Sequence, residues 1–175
     1  ADVGVIDKRS FINQIPISTD ISGNIYNGIG YKNDVRLNTS GEETAAAGMG
    51  ATGFIPCKPG DILYMSNILT TGSNSTGWYK LHFLNEDKNT IGHAFFFNND
   101  GSQSYIGNAA NINAGFVEQD ANGYLTKIKL ALYDASSGTG LWANSGVIDS
   151  TFRFVRIVAG TITDEAIATI NQPIV

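Results

Sequence analysis

The sequence predicts an all-β chain, an antiparallel two-sheet β-sandwich of jelly-roll-like topology, and three observations carry that prediction. Apolar residues recur at period two far more often than at 3.6. Twenty glycines, with frequent asparagines, punctuate the chain at strand-to-turn spacing, and no helical pattern outlasts a turn or two. Strands that bury one face each need a second layer, so roughly seven to nine of them predict two sheets around one core. A length of 175 residues with 42% hydrophobic and 15% charged side chains suits one domain. Residues 24–175 are expected to form it, with 1–23 an N-terminal arm or an edge strand.

The elements follow in order. After Ile29, the residues Tyr31, Val35 and Leu37 share one parity and Lys32, Asp34 and Arg36 the other, a half-buried strand with Asn33 as a polar intruder on the apolar face. Residues 54–58 read as a short strand. Pro56 lacks an amide hydrogen, which puts that strand at a sheet edge or a bulge. The turn 58–61 leads into a strand over 62–65, and the polar stretch 69–76 is a loop. Tyr79, Leu81 and Phe83 alternate with Trp78, Lys80 and His82, and the polar stretch 85–89 returns the chain through 90–97 as a hairpin. Residues 98–102 form a turn, and 104–115, rich in Asn, Ala and Gly, fit no element. Thr126, Ile128, Leu130 and Leu132 oppose Lys127 and Lys129 as the clearest alternating strand. Residues 136–146 are loop, with Leu141 and Trp142 inside it. The apolar run 152–158, broken by Arg153 and Arg156, is a strand, and Thr163, Asp164 and Glu165 are expected to cap one helical turn before 167–175 closes the chain.

Composition excludes several classes of function. A net charge of −5 and scattered Lys and Arg give no electrostatic footprint for nucleic acid. No run nears the roughly 18 apolar residues of a spanning helix, and Asp2, Asp7, Lys8 and Arg9 occupy the start where a signal peptide would be apolar, so a soluble chain without membrane insertion is expected. Cys57 stands alone, and His82 and His93 are too far apart for a zinc-binding helix. Between Pro56 and Lys58, Cys57 reads as a small core residue, not a nucleophile. There is no G-x-S-x-G and no phosphate-binding loop, and Gly28-Ile29-Gly30 lacks the third glycine and the helix of a dinucleotide site. The acids Glu42, Glu43, Asp61, Glu86, Asp87, Asp100, Glu118 and Asp120 are a pool, with no pair marked as catalytic. Asn98, Asp100 and Gly101 have the outline of a calcium loop, but Phe96 stands where an oxygen ligand is needed. No enzyme activity, no metal and no cofactor are expected.

A binding surface remains. Sugars offer flat C–H faces and hydroxyls that donate and accept, so their sites combine exposed rings with amides and carboxylates. Trp142 with Asn144, Trp78 beside the Asn74 loop, and Tyr105 with Asn99 and Asp100 supply those groups, and His82, on the side of Trp78, joins them as a candidate ligand contact. Each ring could equally anchor its loop from the core.

The blocks Asn24-Ile25-Tyr26-Asn27, Gly30-Tyr31-Lys32-Asn33, Arg36-Leu37 and Ser40-Gly41-Glu42-Glu43 resemble modules of bacteriophage tail and baseplate structural proteins and their prophage relatives. Thr52-Gly53-Phe54-Ile55-Pro56-Cys57-Lys58-Pro59-Gly60-Asp61 is similar to their TGFIPVKKGD segment, with Cys57 at a valine-like position. Phe154-Val155-Arg156-Ile157-Val158-Ala159 and Ile170-Asn171-Gln172-Pro173-Ile174 are similar to their closing strand and tail. The likeness covers both ends and thins over 70–146. It implies a carbohydrate-binding or host-receptor-binding module on a virion, homo-oligomeric, often trimeric, or attached to a larger tail protein, whose partner is a bacterial cell-surface carbohydrate. The alternative is a structural or assembly module of a fibre or baseplate, and a weaker third reading is a polysaccharide-degrading enzyme.

Overall fold

The computed structural model describes residues 30–68, 79–96, 106–142 and 148–174. Within them the order is β1 (Tyr31–Leu37), β2 (Glu43–Thr52), β3 (Ile55–Pro56), β4 (Ile62–Ser66), β5 (Lys80–Leu84), β6 (Thr90–Phe95), α1 (Ala109–Asn113), β7 (Val117–Gln119), β8 (Leu125–Lys129), β9 (Phe154–Gly160) and β10 (Ile167–Ile170). One sheet runs β1-β2-β9-β5-β6, with β3 also on β9, and the other runs β10-β4-β8-β7. Every pairing between these strands is antiparallel. The chain is therefore the all-β two-sheet sandwich that the period-two pattern predicts. It changes sheet between β3 and β4, β4 and β5, β6 and β7, β8 and β9, and β9 and β10.

Alternation along the strands fills the space between the sheets. Leu81 and Phe83 of β5 and Val155, Ile157 and Ala159 of β9 meet Leu63 and Met65 of β4 and Leu125 and Ile128 of β8 in one cluster. Phe83 and Phe152 pack edge to face within it, centroids 5.1 Å apart. The strand β9 reads as a nearly continuous apolar run because both its faces are covered: Val158, on the outer face, packs with Val35, Leu37 and Ala51. That cover comes from a bend in the β1–β2 hairpin. Between Asn33 and Val35 the partner on β2 jumps from Gly50 to Ala45, and Asp34 (φ 60°) and Gly48 (φ 79°) take the left-handed conformation there. Residues beyond the bulge lie over the outer face, where Lys80 Nζ donates to the Leu37 carbonyl at 2.6 Å.

Asn33, the intruder on the apolar face of β1, pairs as a strand would. Its amide donates to the Ile162 carbonyl and accepts from the Ile162 N–H, each at 2.8 Å. Pro56 is exposed and lies on β3, which bonds only to β9, the edge placement expected of it. Pro59 and Gly60 (φ 90°) occupy the centre of the turn closed by Asp61 N–H on the Lys58 carbonyl. The β5–β6 hairpin turns at Asn85, whose side chain accepts from the Asp87 and Asn89 amides.

Two expectations are corrected. The strand at β8 ends at Lys129, and Leu132, expected on its apolar face with Ile128 and Leu130, is 37% exposed, while Leu125 is buried instead. A register shift opposite Glu118 and Gln119 displaces the alternation at the start of that strand. Thr163, Asp164 and Glu165 form a single turn, closed by Ala166 N–H on the Thr163 carbonyl, and no helix follows. The helix that does form, α1, lies in the stretch that fitted no element, where the Asn108 side chain caps it by accepting from the Asn111 amide at 2.9 Å. The arm at 1–23, the loop at 69–76 and the turn at 98–102 lie outside the described residues.

Candidate functional site

After β8 the chain leaves the sheet through Leu130, which is fully buried, and folds a tight loop over 131–142. Leu141 N–H donates to Ala131 O at 2.9 Å, Asp134 N–H to Thr139 O at 2.8 Å, and Gly138 N–H to Asp134 O at 2.8 Å. The Asp134 carboxylate accepts from the Ser136 amide and hydroxyl at 2.9 and 2.7 Å, and these bonds hold it below the usual carboxylate range. Gly140 (φ 105°) is required where it stands, since a Cβ would lie 2.4 Å from the Leu132 carbonyl oxygen. Immediately after it, Leu141 turns into the core at 2% exposure and Trp142 turns out at 39%. Tyr133, 37% exposed, meets the Trp142 ring edge to face at 4.4 Å and 74°.

The anchor of this loop is Asn111 of α1, 1% exposed. Its Oδ1 accepts from the Gly140 amide at 2.7 Å, and its Nδ2 donates to the carbonyls of Gly140 at 3.1 Å and Ile106 at 2.8 Å. Ile106 in turn donates to Phe95 O, Phe96 packs on Tyr79 at 6.0 Å, and the Tyr79 hydroxyl donates to the Ile68 carbonyl. Ile68, Tyr79, Phe96 and Ile106 are all buried core residues. A continuous series of contacts thus joins the residues that flank 69–78 and 97–105 to the loop that carries Trp142. The exposed large hydrophobic residues among those described are Ile112 of α1 and Leu132, Tyr133 and Trp142.

Of the candidates singled out in the sequence, Trp142 is at the surface, paired with a second ring. Trp78, Asn99, Asp100, Tyr105 and Asn144 lie outside the described residues. His82 is not on an accessible face: it is fully buried beneath the β1–β2 hairpin, stacked on His93 at 5.2 Å. The strands β5, β6 and β9 bring His82, His93 and Arg156 into one row there, with Lys80 beside them. Arg156 donates to Thr52 O at 2.9 Å and to Glu43 at 3.2 Å, and Glu43 also faces Lys32 at 3.5 Å. Glu43 is thus engaged in a structural ion pair, while Glu42 is exposed and bonds to Asn38. Burial first, then the positive charges of Lys80, His93 and Arg156, push His82 down to about 2; burial and Lys80 push His93 down to about 4. Cys57 is buried, and burial followed by Asp61 drives its thiol up to about 12, an inert core group at neutral pH.

Tyr133 and Asn111 were not singled out in the sequence. The signal for Tyr133 is its place after the last alternating residues and directly before the turn formers Asp134, Ser136, Ser137 and Gly138. Nothing local marks Asn111. An open groove of about 330 Å³ on the outer face of the smaller sheet is lined by Tyr64, Ser66, Glu118, Thr126, Lys127 and Pro173, with Lys127 paired to Glu118 at 3.6 Å. Among the described residues no three His, Cys, Asp or Glu side chains are grouped to hold a metal ion. No protein-family model, curated protein or solved structure matches the chain. The geometry itself is that of an aromatic corner at the surface, with the Asp134 carboxylate next to Tyr133 in the chain, and its rings can stack on apolar C–H faces.

Proposed function

We propose that this domain is a non-catalytic carbohydrate-binding, host-receptor-binding module of a phage tail structural protein, which offers Tyr133 and Trp142 to a bacterial surface glycan. The observation that carries the reading is the exposed ring pair on a loop pinned by Asn111 and Leu141. Ordering such a loop in advance reduces the entropy lost on binding. A single shallow site of this kind gives dissociation constants of roughly millimolar to micromolar, about −4 to −8 kcal/mol, and useful adhesion then comes from several copies on one particle.

One observation favours a second reading, an assembly module of a tail fibre or baseplate: Leu132 and Ile112 are exposed as well, and apolar surface of this kind also marks subunit interfaces. Trp142→Ala separates the two. Loss of binding to host cell-wall polysaccharide fragments with unchanged oligomer size supports glycan recognition. A change of oligomeric state on gel filtration with light scattering supports assembly. No binding across a broad glycan panel, with no adhesion to cells, counts against the first reading.

A further inference from the structure

Resting on that reading, we infer that the Tyr133–Trp142 seat takes one uncharged pyranose unit, at the end or on a branch of a glycan, and neither a run of sugars nor an acidic one. Two observations lead there. The first is shape. Stacking several consecutive sugars requires rings that lie in one plane and stand apart along the polymer, whereas these two rings touch each other at 4.4 Å and meet at 74°. One ring can support a pyranose face while the other closes its side, and among the described residues no third exposed aromatic ring offers a surface for the next sugar. Leu132, which precedes Tyr133 in the chain, is also exposed and carries aliphatic carbon, not a third ring.

The second is charge. Residues 106–116 and 130–142, which build the loop and its anchor, carry one formal charge between them, on Asp134. Its carboxylate is held ionised by the Ser136 bonds. Lys129, next along the chain, lies over the Phe116 ring at 4.7 Å. A uronic acid or phosphate-bearing unit would therefore meet a like charge at the loop, on a chain whose net charge is already −5. A neutral hexose or N-acetylhexosamine meets none.

The test uses the full chain in calorimetric and ligand-observed NMR titrations. The probes are methyl pyranosides of neutral hexoses and N-acetylhexosamines, their linear tetramers, and uronic acid tetramers, at about 20 mM and about 0.5 M salt. The expected result is that a neutral monosaccharide and its tetramer bind within about threefold of each other and that affinity is unchanged by salt. Trp142→Ala should weaken both about tenfold or more, and Tyr133→Ala about three- to tenfold. Binding that still depends on Trp142 but is over tenfold tighter for a tetramer, or favours the uronic acid with a loss at high salt, overturns this inference and leaves glycan recognition standing. Binding abolished by Tyr64→Ala and retained by Trp142→Ala moves the site to the groove and overturns the inference. No binding to any probe overturns both it and the reading beneath it.

Discussion

Asn111 shows how much one side chain can hold. It satisfies a buried amide and two buried carbonyls on two separate segments, Gly140 and Ile106, where water does not reach. Removing it orphans all three, and leaving buried polar groups unpaired costs about 1–3 kcal/mol each before relaxation. Asn111→Ala is expected to lower stability by about 3 kcal/mol in chemical denaturation and to weaken any ligand that stacks on Trp142, since the loop loses its anchor. Unchanged stability would show that the loop is held by its own turns alone. This residue was not legible in the sequence, because an asparagine among Asn, Ala and Gly looks like loop chemistry until the contact across 29 positions to Gly140 is known. Trp142 was legible as a loop ring. Whether it faced in or out depended on the phase of Leu141, which a positive-φ glycine at 140 resets.

At the scale of elements, the β1–β2 hairpin closes over a basic row whose protonation the fold opposes. His82 has both ring nitrogens unpartnered among the described residues, and it faces Lys80 of its own strand, His93 of β6 and Arg156 of β9. The hairpin adds the Leu37 carbonyl to Lys80, whose pKa is lowered first by burial and then by Arg36, and Glu43 to Arg156 and Lys32. Both imidazoles ionise near 6.5 when unfolded and far lower when folded, so the unfolded chain binds more protons between about pH 6.5 and 4. The contribution of the imidazoles to stability is complete well above pH 6.5 and is lost on acidification, with a slope approaching about 1.4 kcal/mol per pH unit for each ring. Urea midpoints measured across that range should drop steeply for the wild type and less steeply for His82→Phe. Parallel profiles would remove the histidines as the cause. The strands β1, β5 and β8 were legible from alternation, as were the β5–β6 hairpin and the edge position of Pro56, whereas β2, an Ala- and Gly-rich run, and the three-residue β7 show no period of two and were not singled out. The bend at Asp34 was not legible either, since an aspartate at positive φ inside an alternating run has no local signature, and beyond it Leu37 reaches Lys80 while Glu43 reaches Arg156.

Over the whole molecule, one apolar cluster draws residues from both sheets and includes Ile68, Tyr79, Phe96, Ile106, Leu141 and Ile148. Such a core unfolds as a unit. Phe83→Ala, which empties the centre of the packing against Phe152, is expected to cost about 3–5 kcal/mol and to shift the far-ultraviolet and tryptophan signals together. Separate midpoints for the two signals would mean that one sheet melts alone. The sandwich was readable from periodicity because its faces obey a rule of two. Strand order was not, since pairs such as β2 with β9 join segments about a hundred residues apart.

The alternation at positions 141 and 142 has a further meaning for change over time. Leu141 carries the packing and Trp142 the contact with the outside, one peptide bond apart and on opposite sides of the backbone. A substitution can therefore rewrite the outward residue without disturbing the inward one, so that surface chemistry and foldedness can change almost independently.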